Sequence, residues 1–279
     1  MIIYPSNPEQ SELGKKSEYG TSYNPEKIFP IARKLKRDEI GISDDLPFFG
    51  FDLWNHYEVS WLNDKGKPIV AVAEISYNCC TPFIIESKSM KLYFNSFNNS
   101  KFKDITDVEK RIKTDLESRL GGEVNLKITP LQNLKDDKLV ANFQGTCIDD
   151  LDVECFTYLV DAEFLTTKND VVEETLYSNL LKSNCLVTNQ PDWASVQIHY
   201  KGKQIDHTGL LRYLVSFRNH NEFHEQCIER IFVDIMKYCQ PEELTVYGRY
   251  TRRGGLDINP YRSTQADFPD FINFRLVRQ

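Results

Sequence analysis

The segment SNCLVTNQPDWASV sets Cys185 seven positions before Asp192. Thr188, Asn189, Gln190 and Pro191 between them are turn formers, so the thiol and the carboxyl group can meet across a bend. Together they offer a nucleophile and a proton donor, though an ordinary turn beside a buried apolar cysteine has the same composition. A second group interrupts the apolar and aromatic run CCTPFIIESKSMKLYFNSF, which reads as a strand. A charge buried in such a strand is costly unless it meets a partner. Glu86, Ser87, Lys88 and Ser89 therefore face a polar ligand or one another, or else mark the wet face of an edge strand. His224 and Glu225 open a helix, where backbone N–H groups stand unpaired; the helix dipole alone also favours Glu225 there. Finally, RYTRRGGLDINPYRS sets Arg249, Arg252, Arg253 and Arg262 around the pair Gly254-Gly255. Guanidinium forks on flexible backbone suit a phosphate, and an exposed basic loop would read the same.

The elements that must hold these residues come in two similar series. YEVSWLNDKGK alternates apolar and polar residues, turns at a glycine and resumes as IVAVAEISY, a hairpin pattern. WASVQIHYKGK repeats it, with Lys65-Gly66-Lys67 matching Lys201-Gly202-Lys203 at an offset of 136. Ser96-Phe97 then matches Ser216-Phe217 at an offset of 120, so the first copy carries 16 more residues between these two points. A helix follows each Ser-Phe pair: Ile105, Val108, Ile112, Leu116 and Leu120 recur at helical spacing, as do Ile228, Ile231, Ile235 and Cys239. Thr106 and Glu109 fit a capping box, and Gly121-Gly122 fits the C-cap. VNLKI and LTVYGRY close the copies as strands. The pattern predicts an α+β chain with an irregular arm over residues 1–45, the fold starting near Pro47, and two tandem domains at 46–150 and 151–279.

Composition narrows the function. With 34 Lys plus Arg against 41 Asp plus Glu, the 279-residue chain has a net charge of −7, the wrong sign for gripping nucleic acid through its phosphates. No run approaches the length of a membrane span and the N-terminus lacks a signal-peptide layout, which predicts a cytoplasmic protein acting on a small molecule. Seven cysteines without a CxxC pair argue against a disulfide framework and against a zinc site, so no metal is expected.

Taken as a set, ESKSMKLYFNSF, CLVTNQPDWAS, FHEQCIERI and RRGGLDINP resemble the NADPH-dependent 7-cyano-7-deazaguanine reductases, in the long form that fuses two tunnelling-fold domains. The likeness runs from about residue 45 onward. It implies antiparallel sheets with helices packed on one face, and reduction of a nitrile to an aminomethyl group in queuosine biosynthesis, with NADPH as cofactor. By resemblance Cys185 is the nucleophile and Asp192 the proton donor. Glu86 and Glu225 hold the purine-like base, with Ile85, Ser87 and His224 beside them, and Ser87, Lys88, Arg253 and Gly254 contact NADPH. Tyr261 departs from the family pattern, where a Trp is expected. Closing a tunnelling barrel takes more than two copies of the fold, so a homodimer is expected. Three other readings share some of these residues: a nitrile hydrolase using the same cysteine, an enzyme acting on GTP or pterins, and a module that binds a modified purine without turnover. NADPH dependence separates the first from the reductase. The metal-binding Cys and His clusters expected of the second are missing from the sequence.

Overall fold

The computed structural model describes residues 10, 20–43, 45–135, 139–268 and 273–279. Of the expected arm, residues 1–9, 11–19 and 44 lie outside them. The chain forms two compact units, and neither is a single run of sequence. One comprises Met1–Leu35, Asp52–Asp137 and Arg252–Asp257; the other Lys36–Phe51, Lys138–Thr251 and Ile258–Gln279.

In the first unit, β1 (Pro30–Ala32) is followed by α1 (Lys34–Glu39), which leads into the second unit. Then come β2 (Phe49–Leu62), β3 (Pro68–Asn78), β4 (Phe83–Ile85), α2 (Ser87–Asn95), α3 (Ile105–Leu120) and β5 (Val124–Pro130). The strands order β5-β3-β2, with β3 and β5 antiparallel from Ala71↔Pro130 to Tyr77↔Val124. The hairpin between β2 and β3 turns where expected: Gly66 has φ +79° and donates its N–H to Asn63 O at 2.8 Å. Helix α3 buries Val108, Ile112, Leu116 and Leu120 completely, each contributing about 1.5–3 kcal/mol. It ends on left-handed Gly121. Its N-cap is Asp104, which accepts from Asp107 N–H, and not the expected Thr106 box. Glu109 instead reaches the sheet, accepting from Ile128 N–H at 2.9 Å.

The fold begins well before Pro47. Asn24 caps a short 3-10 turn at Pro25–Lys27, and β1 pairs with β4 in the register Pro30↔Ile85. Serine, proline and lysine make this stretch look like an arm, yet its backbone groups find partners in the first unit.

The second unit holds β6 (Leu139–Val140), β7 (Thr146–Cys147), β8 (Thr167–Ser178), β9 (Lys182–Asn184), β10 (Pro191–Ile205), α4 (His207–Ser216), α5 (His224–Cys239), β11 (Glu243–Tyr250), β12 (Leu256–Ser263) and β13 (Arg275–Leu276). Its strands order β12-β11-β10-β8-β7, antiparallel except for the β7–β8 pair, and β9 pairs with β10. Ile228, Ile231 and Ile235 of α5 are fully buried. The buried carboxylate of Glu229 on the same helix accepts from both Arg37 and Arg262. Here the expected second hairpin is absent: Lys201-Gly202-Lys203 lies inside β10, whose partner β8 precedes it. A Cβ on Gly202 would come within 2.9 Å of Pro241 Cα, so this glycine serves a close approach of two backbones.

The duplication is legible in paired hydrogen bonds. Tyr93 OH donates to Asp115 at 2.6 Å and Tyr213 OH to Asp234 at 2.7 Å. Ser96 Oγ donates to Tyr93 O and Ser216 Oγ to Tyr213 O, both at 2.6 Å. Those serines accept from Asn24 N–H and Asp161 N–H, the residues that cap the 3-10 turns Pro25–Lys27 and Ala162–Phe164. The α+β class with predominantly antiparallel sheets is as expected. No helix among the described residues is long and apolar enough to cross a membrane.

Candidate functional site

The ESKSMKLYF segment is a helix, not the expected strand. Glu86 is its N-cap and accepts from Lys88 N–H at 2.6 Å and Ser89 N–H at 2.8 Å. Met90, Tyr93, Phe94 and Phe97 then fall at helical spacing and are fully buried. Ser89 Oγ donates to Glu86 O, and Glu86 N–H donates to Phe29 O at 3.0 Å, so the residues around β1 hold the capping glutamate in place. Ile85 ends β4 and is buried, whereas Ser87 and Lys88 are only partly covered. The Glu86 carboxyl group is fully buried, and that burial raises its pKa; the two N–H donors and the charges of Arg253 and Lys88 act the other way. A buried carboxyl group within the field of two cations suits a ligand edge made of N–H donors.

The same unit contains the turn Arg252–Asp257. Gly254 and Gly255 have φ +64° and +78°, the consecutive left-handed pair that a two-residue hairpin turn needs. Arg253 N–H donates to Leu256 O at 2.9 Å. A Cβ on Gly254 would lie 2.9 Å from Lys91 Cδ. Lys88, Lys91 and Arg253 with a glycine backbone this close make a fitting cradle for nucleotide phosphates. Lys91 and the strand residues that grip this turn are absent from the sequence-derived set; the polar triplet Asn55-His56-Tyr57 inside an apolar strand was the available signal.

In the second unit, Cys185 and Asp192 lie at one end of the β9–β10 pair. Asp192 pairs with Ser183, and Pro191 with Asn184, leaving Cys185 one step beyond the ladder. The intervening loop closes on itself: Cys185 N–H donates to Gln190 O at 2.9 Å and Asn189 N–H to Cys185 O at 3.1 Å, with Asn189 left-handed at φ +55°. Asn184 N–H donates to His220 O and Glu222 N–H to Asn184 O, which stitches the loop to the segment before α5. Glu222 is itself clamped by Arg230 and His220, whose charges hold its carboxyl group below the usual range against the opposing effect of burial.

His224 begins α5 behind Phe223, an N-cap with no side-chain hydrogen bond. Its Nε2 lies 3.6 Å from Asp192 Oδ1, and its ring meets Tyr250 edge-on at 4.1 Å. Cys185, Asp192 and Glu225 are all buried. The thiols of Cys227 and Cys239, by contrast, are pushed up to about 12 by burial, so neither is a thiolate at neutral pH. Tyr261 is buried and stacks on Phe51 at 5.1 Å with the rings 4° from parallel, a packing role. Among the described residues no cluster of three or more His, Cys, Asp or Glu is set to hold a metal.

Two family models match the chain: the N-terminal part of nitrile reductase, 7-cyano-7-deazaguanine-reductase, over residues 19–128, and QueF-like protein over residues 191–268. The chain is 61% identical over 279 residues to the NADPH-dependent 7-cyano-7-deazaguanine reductase of Legionella pneumophila (strain Lens), covering 100% of this chain and 98% of the relative. To the protein of that name from Azoarcus sp. (strain BH72) it is 56% identical, covering 93% and 92%. For that from Polaromonas sp. (strain JS666 / ATCC BAA-500) the identity is 53%, covering 98% and 100%. Identity of this extent along the whole chain leaves one assignment: the chain belongs to the NADPH-dependent 7-cyano-7-deazaguanine reductase family.

Proposed function

We propose that this protein reduces the nitrile of 7-cyano-7-deazaguanine to an aminomethyl group through a covalent adduct on Cys185, as a cytoplasmic homodimer in queuosine biosynthesis. The observation that supports the reading is the β9–β10 hairpin, in which a buried cysteine one residue beyond the ladder and a buried aspartate within it share one end of the pair, the aspartate 3.6 Å from His224. The Cys185 sulfur adds to the nitrile carbon, forming a C–S bond in place of one C–N π bond, while the nitrogen takes a proton from Asp192 and the proton lost by the thiol returns to the Asp192 carboxylate; the product is a thioimidate. The step requires Asp192 to hold the donated proton. His224 orients it. In the second unit Glu225, with His224 beside it, accepts from an N–H edge of a base, where a carboxylate pairs with two adjacent donors; in the first unit Glu86, with Ile85 and Ser87 beside it, is suited to the same kind of edge.

NADPH, when bound, supplies the hydride, two equivalents per nitrile. Ser87, Lys88, Arg253 and Gly254 are the residues to hold it, the two cations offsetting its phosphate charge in a chain of net charge −7. Purified protein with the cyano substrate should consume two NADPH per nitrile and release the amine. Release of ammonia and a carboxylate without NADPH consumption would instead establish a hydrolase.

A further inference from the structure

The turn bearing Arg253 and Gly254 is gripped by three consecutive residues of β2, all in the first unit. Strand alternation sends Asn55 and Tyr57 to one face and His56 to the other. Asn55 Nδ2 donates to Asp257 Oδ1, and Tyr57 OH donates to Oδ2 of the same carboxylate, both at 2.7 Å. On the turn itself, Tyr57 N–H donates to Gly255 O at 2.9 Å, and His56 Nδ1 lies 3.0 Å from that same carbonyl. A carbonyl only accepts, so Nδ1 carries the proton. Nε2 is then the lone-pair nitrogen, buried and without a hydrogen-bond partner among the described residues. The ring is 1% exposed and meets Phe94 edge-on at 4.3 Å. Burial holds its pKa down at about 4, which keeps it a neutral donor at working pH. A Cβ on Gly255 would lie 2.5 Å from Cδ of the exposed Glu58 side chain.

We propose that His56, with Asn55 and Tyr57, is a positioning residue for the cofactor: by fixing the Gly255 carbonyl it sets the direction in which Arg253 and the Gly254 N–H meet the nucleotide phosphates. The proposal rests on the reading of Arg253 and Gly254 as cofactor contacts. The turn's own ladder bond closes the hairpin without orienting it, whereas donors from both faces of β2 leave it a single orientation.

The test compares His56→Phe, His56→Asn and Arg253→Ala in the full-length enzyme. The readouts are the KM for NADPH, kcat, the melting temperature, and the Cys185 adduct by intact mass with substrate alone. His56→Phe keeps a ring against Phe94 and removes the donor. It should raise the KM about tenfold while kcat at saturating NADPH and adduct formation stay within about twofold. His56→Asn retains an N–H donor and should restore the KM to within about twofold of the parent. A merely structural role would lower adduct formation and melting temperature together, and asparagine would not rescue it. An unchanged KM in His56→Phe, or equal impairment in His56→Asn, overturns the proposal. Should His56→Phe fail to fold, Tyr57→Phe decides: removing its donor to Asp257 should raise the same KM severalfold, and an unchanged value overturns the clamp. If Arg253→Ala raises the KM and His56→Phe does not, only this proposal falls. An unchanged KM in Arg253→Ala removes the cofactor reading beneath it, and the proposal with it.

Discussion

The two copies share a frame and differ where their helices begin. Each keeps a tyrosine bonded to an aspartate on the next helix, a serine bonded back to that tyrosine, and a capped 3-10 turn bonded to the serine. At the helix starts they part. In the first copy α2 is capped by fully buried Glu86, while its counterpart α4 is capped by half-exposed Asp206, which accepts from Gly209 N–H and lies 3.9 Å from Lys168. In the next pair the asymmetry reverses. There α3 has an ordinary Asp104 cap and α5 starts behind Phe223 with none. Each copy thus has one conventional helix N-terminus and one that departs from it: a fully buried glutamate cap at α2 and a start without a side-chain cap at α5. The frame is present twice, and the two halves differ in which of their helix starts departs from it.

The sharpest way to break this comparison is to look for a nucleophile outside the second copy. Cys185→Ala should abolish the mass increase seen with cyano substrate in the absence of NADPH. Cys79→Ala and Cys80→Ala in the first copy, and Cys227→Ala in α5, should leave it intact. An adduct surviving in the Cys185 variant would move the nucleophile and dissolve the asymmetry.

The paired caps offer a smaller, graded test. Glu86→Gln keeps size and one acceptor and loses the charge. Substrate affinity by calorimetry should fall about 10- to 100-fold, the worth of a hydrogen bond to a charged group. Asp206→Asn exchanges one good cap for another, so it should change affinity less than twofold and stability by only a few tenths of a kcal/mol. Equal effects on affinity would mean that Glu86 is merely a cap.

The smallest expected effect concerns the shared frame. Tyr93→Phe and Tyr213→Phe should each cost about 1–3 kcal/mol in urea unfolding. The Tyr213 change should cost more, because Asp115 keeps a second donor, Tyr23 OH at 2.5 Å, after Tyr93 is altered. A loss confined to one tyrosine would show that the frame is no longer used symmetrically.

What could be read in the sequence follows from these physical roles. Helices α3 and α5 announce themselves because one face is apolar and the other wet. Helix α2 does not: apolar residues at Met90, Leu92, Tyr93 and Phe94 leave little polar face, and its capping glutamate looks like a misplaced charge in a strand. The two Lys-Gly-Lys triplets are alike in sequence and opposite in use. Gly66 supplies a left-handed turn, whereas Gly202 makes room for Pro241, a neighbour 39 positions away that no local pattern contains. Cys185 and Asp192 were legible as a pair because their proximity is local, across one turn. The grip of Asn55, His56 and Tyr57 on residues 255–257 spans about two hundred positions, so the polar triplet in an apolar strand signals a partner without saying which.

The order in which the chain is made gives the interleaved units a temporal side. The first unit has almost all its residues by Asp137, but Arg252–Asp257 arrive 115 to 120 residues later. At cellular translation speeds that is a delay on the order of ten seconds. During it Asn55, His56 and Tyr57 have donors with no turn to bind, on a sheet whose core is already synthesised. A nascent chain stalled before Asp257 would therefore carry a nearly whole first unit without its Arg252–Asp257 turn, a species that protease sensitivity at β2 would reveal.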